Sequence, residues 1–149
     1  MRYLLDTNVV SELRKVWLGK ADGNVTRWFS LVRPDHLCLS VITVQELEVG
    51  ILLAKRKDPL KASMFRSWLD QQVLPTFAGR ILPVNLAIAQ RGAALHVPNP
   101  CPPLDALIAA TALVHGLTGL TVVTRNLPDS ARTGVPTLNP WALTPPPAP

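Results

Sequence analysis

Short apolar runs alternate along this chain with stretches in which apolar residues recur every three or four positions. The first run, Arg2-Tyr3-Leu4-Leu5, ends on Asp6, and Val9-Val10-Ser11-Glu12-Leu13-Arg14 reads as the start of a helix. A second buried strand is predicted over Leu37-Cys38-Leu39-Ser40-Val41-Ile42, and a third over Arg80-Ile81-Leu82-Pro83-Val84. Thr121-Val122-Val123-Thr124 is a fourth, and Pro136-Thr137-Leu138 a short fifth. Between them, Asn24 caps a helix carrying Val25, Trp28, Phe29 and Val32. Thr43 caps another, and Glu46 three residues on gives the spacing of a capping box, with Leu47, Ile51 and Ala54 on one face. Pro59 opens a helix whose buried stripe is expected to hold Met64, Trp68, Leu69 and Val73. Residues 86–96 form a helix, then Pro98, Pro100, Pro102 and Pro103 stiffen a connector into a last helix over 104–115.

Strands alternating with helices imply an α/β fold with a parallel sheet covered on both faces. The 149 residues suit a single domain, with boundaries expected at 1–143 and a frayed proline-rich tail at 144–149. A hydrophobic share of 48% against 17% charged excludes a disordered chain. No stretch is clean enough to span a bilayer, because residues 104–123 carry Asp105, His115, Gly116 and Gly119. Asp6 interrupts the apolar run that a signal peptide would need, so a cytoplasmic location is expected. Cys38 and Cys101 lack metal-ligand spacing and read as reduced thiols. The net charge of +5 permits an anionic partner, nucleic acid or an acidic protein segment. The Lys55-Arg56-Lys57 cluster reads first as a solvated helix end.

The chemistry lies in acids at element ends. Asp6 closes the first strand, Glu46 and Asp105 stand in the expected opening turns of two helices, and Asn126 follows the fourth strand. Each acid has a plain alternative: Asp6 as an N-cap, Glu46 and Asp105 as favourable first-turn residues. In a parallel sheet, however, strand ends and the starts of the following helices share one edge, where open α/β folds bind ligands. Carboxylates about 4 Å apart repel by roughly 4 kcal/mol at an effective dielectric near 20. A convergent set therefore calls for a cation or a retained proton. All-oxygen ligands favour Mg²⁺ or Mn²⁺ over zinc. Metal-assisted phosphodiester hydrolysis is the matching reaction class.

Four blocks then resemble ordered motifs of a known family. They are Leu5-Asp6-Thr7-Asn8-Val9, Ser40-Val41-Ile42-Thr43-Val44-Gln45-Glu46-Leu47-Glu48-Val49-Gly50, Leu104-Asp105-Ala106-Leu107-Ile108-Ala109-Ala110-Thr111-Ala112 and Val123-Thr124-Arg125-Asn126. Together with residues 74–83 and the Asn139-Pro140-Trp141 ending, they look like PIN-domain proteins, in particular the VapC/FitB group of type II toxin–antitoxin systems. The resemblance implies a sheet in the order 3-2-1-4-5 and a Mg²⁺- or Mn²⁺-dependent endoribonuclease toxin acting on RNA and neutralised by a cognate antitoxin. It implies metal-binding roles for Asp6, Glu46 and Asp105, with Thr7, Asn8 and Thr124 as polar supports. It also implies a homodimer built on helical surfaces, to which Leu52, Leu53 and Trp68 would contribute, and a larger toxin–antitoxin assembly. One position departs: where the family often has a fourth acid, this chain has Asn126, with Asp129 three residues on as a substitute if the loop folds back.

The remaining polar residues have plainer readings. Glu48 points about 200° around its helix from Glu46, toward solvent, and Glu12, just over a helical turn beyond Asn8, could approach the crevice but reads first as a surface residue. His36, His96 and His115 stand near element ends, and Trp17, Trp28, Trp68 and Trp141 read as core or interface. Arg91 and Arg125 are candidates for an RNA phosphate or an antitoxin carboxylate. Two rival functions remain. One is a non-catalytic RNA- or protein-binding PIN module; the other is a phospho-acceptor receiver or phosphatase, which the Thr7-Asn8 pair and the lack of lysine beyond Lys61 disfavour.

Overall fold

The computed structural model describes residues 2–116, 119–125 and 133–143. Strands β1 (Arg2–Leu5), β2 (Leu37–Ser40), β3 (Ile81–Leu82), β4 (Leu120–Val123) and β5 (Thr137–Leu138) form one parallel sheet in the order β3-β2-β1-β4-β5, as expected. Leu4 stands opposite Cys38 on one side and Val122 on the other. Successive residues of a strand face opposite ways, and both faces here are covered. Leu5, Leu39 and Val123 pack under α1 (Thr7–Trp17), α2 (Gly23–Leu31) and the Trp68–Phe77 region. Leu4, Cys38 and Val122 pack with Ile108, Ala109 and Ala112 on the other face. That double burial is why the strands read as unbroken apolar runs rather than alternating ones.

Two helix starts differ from expectation. β2 ends at Ser40, whose hydroxyl accepts from the Ile42 N–H at 3.0 Å and starts α3 (Val41–Lys55). Ser40 thus takes the cap role assigned to Thr43, and Glu46 falls in the second turn instead of the first. Asp22 rather than Asn24 caps α2, accepting from Asn24 and Val25 N–H. In both places two capping residues lie within three positions, and packing chooses between them.

The helix α4 (Pro59–Trp68) runs through a wide turn, Leu69–Val73, into the single-turn α5 (Leu74–Thr76). Ala62, Phe65, Trp68 and Leu69 make its inward stripe, so Met64, about 100° away from Phe65 on the helical wheel, is exposed, not buried. The helix α6 (Leu86–Ala94) ends two residues earlier than expected and packs on α7 (Pro103–Val114). Their approach is close at Gly92, where a Cβ would lie 3.2 Å from Leu107 Cδ2.

The path of α7 positions a site residue. A five-residue link, 115–119, joins it to β4, and its apolar face packs on β4 and β1. A helix that feeds a strand through so short a link and lies along it must run antiparallel to it. The start of α7 therefore lies at the carboxyl edge of the sheet. Among the described residues, no helix is long and apolar enough to cross a membrane.

Candidate active site

Asp6 leaves β1 at that same carboxyl edge and caps α1. Its Oδ1 accepts from the Thr7 N–H at 2.8 Å, and its Oδ2 accepts from the Thr124 hydroxyl, also at 2.8 Å. Its own N–H donates to the Val123 carbonyl at 2.9 Å, tying the end of β1 to that of β4. The N-cap and site readings of Asp6 are therefore compatible, because capping uses one carboxylate oxygen and leaves lone pairs on both.

Thr7 joins the second acid. Its hydroxyl donates to Glu46 Oε1 at 2.8 Å, so one residue holds Asp6 through its backbone and Glu46 through its side chain. Asn8 accepts the Arg125 backbone N–H at 3.4 Å, which draws the end of β4 against the start of α1. Asp105 lies half-buried in the first turn of α7, at the same edge. Asn126 and Asp129 lie outside the described residues.

Two anchored carboxylates and a third on the same edge make an all-oxygen donor set. Among the described residues, no three His, Cys, Asp or Glu side chains stand close enough to form a ready-made ion cage. Mg²⁺ does not require one, since it keeps several waters and uses one or two protein carboxylates. The Asp6–Glu46 pair fits that demand.

Beside Glu46 a cleft of about 300 Å³ opens between α1, α3 and α4, with Thr7, Ser11, Arg14, Lys15 and Trp68 in its lining. Arg14 and Trp68 also line an adjoining hollow of about 410 Å³ that extends to Trp17. Sequence alone places Ser11 and Arg14 in the first helix and gives them no role at the site. The signal was there: Thr7, Ser11 and Arg14 sit at i, i+4 and i+7, a polar stripe along α1.

The PIN-domain family model matches residues 3–127, spanning every described member of this arrangement. The chain belongs to the PIN-domain family. This PIN domain is 36% identical over 143 residues to the VapC ribonuclease Y4jK of Sinorhizobium fredii, covering 93% of this chain and 96% of that protein. It is 35% identical over 143 residues to the toxin FitB of Neisseria gonorrhoeae, covering 93% of this chain and 97% of the relative. Its fold matches the crystal structure of FitAcB from Neisseria gonorrhoeae with a TM-score of 0.82 at 34% identity, over 95% of this chain and 99% of that one. FitAB bound to an IR36 DNA fragment matches at 0.81 with 32% identity, over 95% and 97%.

Other candidates of this PIN domain fall away from the carboxylate pair. Glu48 forms a two-pronged ion pair with Arg66, at 3.0 and 2.7 Å, and that hydrogen-bonded guanidinium holds its carboxyl below the ordinary glutamate range. Glu12 accepts from the Asp22 N–H at 3.0 Å and pairs with Lys15, fastening the loop before α2. His96 Nδ1 accepts from the Cys101 N–H at 3.3 Å within the proline connector. Both cysteines are free thiols, Cys38 buried and Cys101 half-buried. Arg91 is exposed in the last turn of α6. Leu52 and Leu53 are exposed, as a contact surface on α3 would need, whereas Trp68 is largely buried and meets solvent only in the lining of the two hollows.

Proposed function

We propose that this chain is a divalent-metal-dependent endoribonuclease toxin, and that a cognate antitoxin neutralises it in the cytoplasm. The carrying observation is the Thr7 link: one residue clamps Asp6 and Glu46 together at the carboxyl edge of the sheet. The names of its relatives support the same reading, a VapC ribonuclease and a FitB toxin, as does a toxin–antitoxin complex from Klebsiella pneumoniae among solved structures of similar fold.

Asp6, Glu46 and Asp105 would hold the ion directly or through water, with Asn126 and Asp129 as further supports. An ion held there would supply Lewis-acid polarisation of the scissile phosphoryl oxygen and a more acidic attacking water. The protein's own part is orientation. The Thr7 N–H and Thr124 hydroxyl stop the Asp6 carboxylate from turning, and the Thr7 hydroxyl does the same for Glu46. Hydrogen bonds to a charged group contribute about 1.5–3 kcal/mol each, enough to hold a carboxylate in one rotamer before substrate arrives. The cleft beside Glu46 offers an inhibitor a route to that carboxylate and to Thr7. Exposed Leu52 and Leu53 suit pairing of two copies.

The test compares cleavage of a mixed RNA pool in Mn²⁺ and in EDTA, with Asp6→Asn alongside. The parent should cut only with metal, and Asp6→Asn should lose cleavage and toxicity while keeping its circular dichroism spectrum. Cleavage by Asp6→Asn at the parent's rate would overturn the proposal. RNA binding without cleavage in any metal would instead favour a non-catalytic binding module.

A further inference from the structure

Arg125 directly follows Thr124, whose hydroxyl touches Asp6 Oδ2 at 2.8 Å, and its own N–H donates to Asn8 Oδ1 at 3.4 Å. Its guanidinium lies 5.0 Å from the centre of the Trp141 ring. That ring rests on a shelf built from distant parts of the chain. The turn Pro140–Ala142 is capped by Asn139, and Asn24 Nδ2 donates to the Trp141 carbonyl at 2.8 Å. Arg27 donates to both Asn24 Oδ1 and the Leu143 carbonyl at 3.2 Å, locking the shelf to α2. Trp141 packs against the core cluster, while Arg125 remains exposed. Among the described residues Arg125 forms no ion pair.

A solvent-facing cation–π pair stabilises the fold by only about 0.5–1 kcal/mol. Fold stability is thus a weak reason for a guanidinium–indole contact one residue along the chain from Thr124, which holds Asp6. A polyanion approaching Asp6 and Glu46 meets two negative charges, and a cation one residue from the Asp6 contact offsets them. Guanidinium planes stack on splayed-out RNA bases, and an aromatic backing fixes the plane.

We infer that the Arg125–Trp141 stack is a nucleotide subsite, in which an RNA base next to the scissile phosphodiester lies flat on the outer face of the Arg125 guanidinium. The inference rests on the ribonuclease reading for its substrate. Binding, read without cleavage, tests it separately.

The experiment measures affinity by fluorescence anisotropy for a labelled single-stranded oligoribonucleotide and for an abasic strand of equal length and charge. All proteins carry Asp6→Asn, which prevents turnover. Arg125→Lys keeps the charge and loses the plane; it should weaken binding of the base-bearing strand about 5- to 20-fold, the lower part of the range for one lost stacking contact. The abasic strand should bind both proteins alike, and Trp141→Phe, which preserves an aromatic backing, should bind close to its Asp6→Asn parent. Equal losses on both strands would make Arg125 a phosphate contact and overturn the subsite, as would unchanged affinity or no RNA binding at all. A poly-glutamate peptide whose binding requires Arg125, while the oligonucleotide's does not, would assign the stack to an acidic protein segment instead. Cleavage of RNA by the chain carrying the native Asp6, assayed in parallel with Mn²⁺, bears on the ribonuclease reading alone.

Discussion

Thr7 has two jobs that depend on different atoms. Its N–H holds Asp6 and survives any substitution that keeps the helix; its hydroxyl holds Glu46 and does not. Thr7→Val is nearly isosteric, so it removes the second bond with little change in shape. Loss of a hydrogen bond that orients a metal ligand typically costs 10- to 100-fold in metal affinity or activity. We expect a fall of about that size in RNA cleavage, with most of it restored in Thr7→Ser. If Thr7→Val cleaves as well as the parent, the clamp has no functional weight. Thr7 was legible in the sequence as a polar support next to Asp6. Its partner was not, because the two residues lie 39 positions apart.

At the scale of elements, the start of α3 shows how local rules can point to the right helix and the wrong cap. Thr43 and Glu46 carry the spacing of a capping box, yet Ser40 stands at the end of β2 with its hydroxyl already on the Ile42 N–H. Burial of Leu39 and Ser40 within the sheet fixes where the strand must end, which no window of sequence around Thr43 contains. Glu48 teaches the same lesson from the opposite side of α3. Its helical phase correctly turned it away from Glu46, but its partner, Arg66, belongs to α4. That pair ties α3 to α4, two of the walls of the cleft beside Glu46.

The ion pair has a predictable pH signature. Its hydrogen-bonded guanidinium lowers the Glu48 pKa on folding, so its stabilisation is present at neutral pH and is lost as pH falls through the folded-state value. Both side chains are 37% exposed, and solvent screening keeps the effect small. Glu48→Gln should lower the urea midpoint at pH 7 by no more than about 0.5 M. As the pH is lowered into and below the ordinary glutamate range, the difference between variant and parent should shrink. A difference that persists undiminished in acid would mean that Glu48 stabilises by packing rather than by charge.

For the whole molecule, the +5 charge and the acidic site pull in different directions. Carboxylates at the sheet edge would repel the phosphates of an RNA substrate locally, while the basic surface would attract the strand as a whole. Binding of single-stranded RNA to the Asp6→Asn protein should therefore weaken with salt, with a log–log slope of about −0.7 for each phosphate neutralised. A flat salt dependence would show that basic side chains do not contact the backbone.

Alternation of strand and helix, burial of both sheet faces and the family motifs are all local or ordered along the chain, and the sequence determined them unaided. The same holds for Asp6, which sits where an apolar strand stops. Tertiary structure decided the rest. It placed the start of α7, and Asp105 with it, at the carboxyl edge, through a short link and a packed face. It brought the Thr124 hydroxyl to Asp6 across 118 positions and seated Arg125 on Trp141. Periodicity records which face of an element is buried, but which element lies against that face is set by chain crossings that leave no periodic trace.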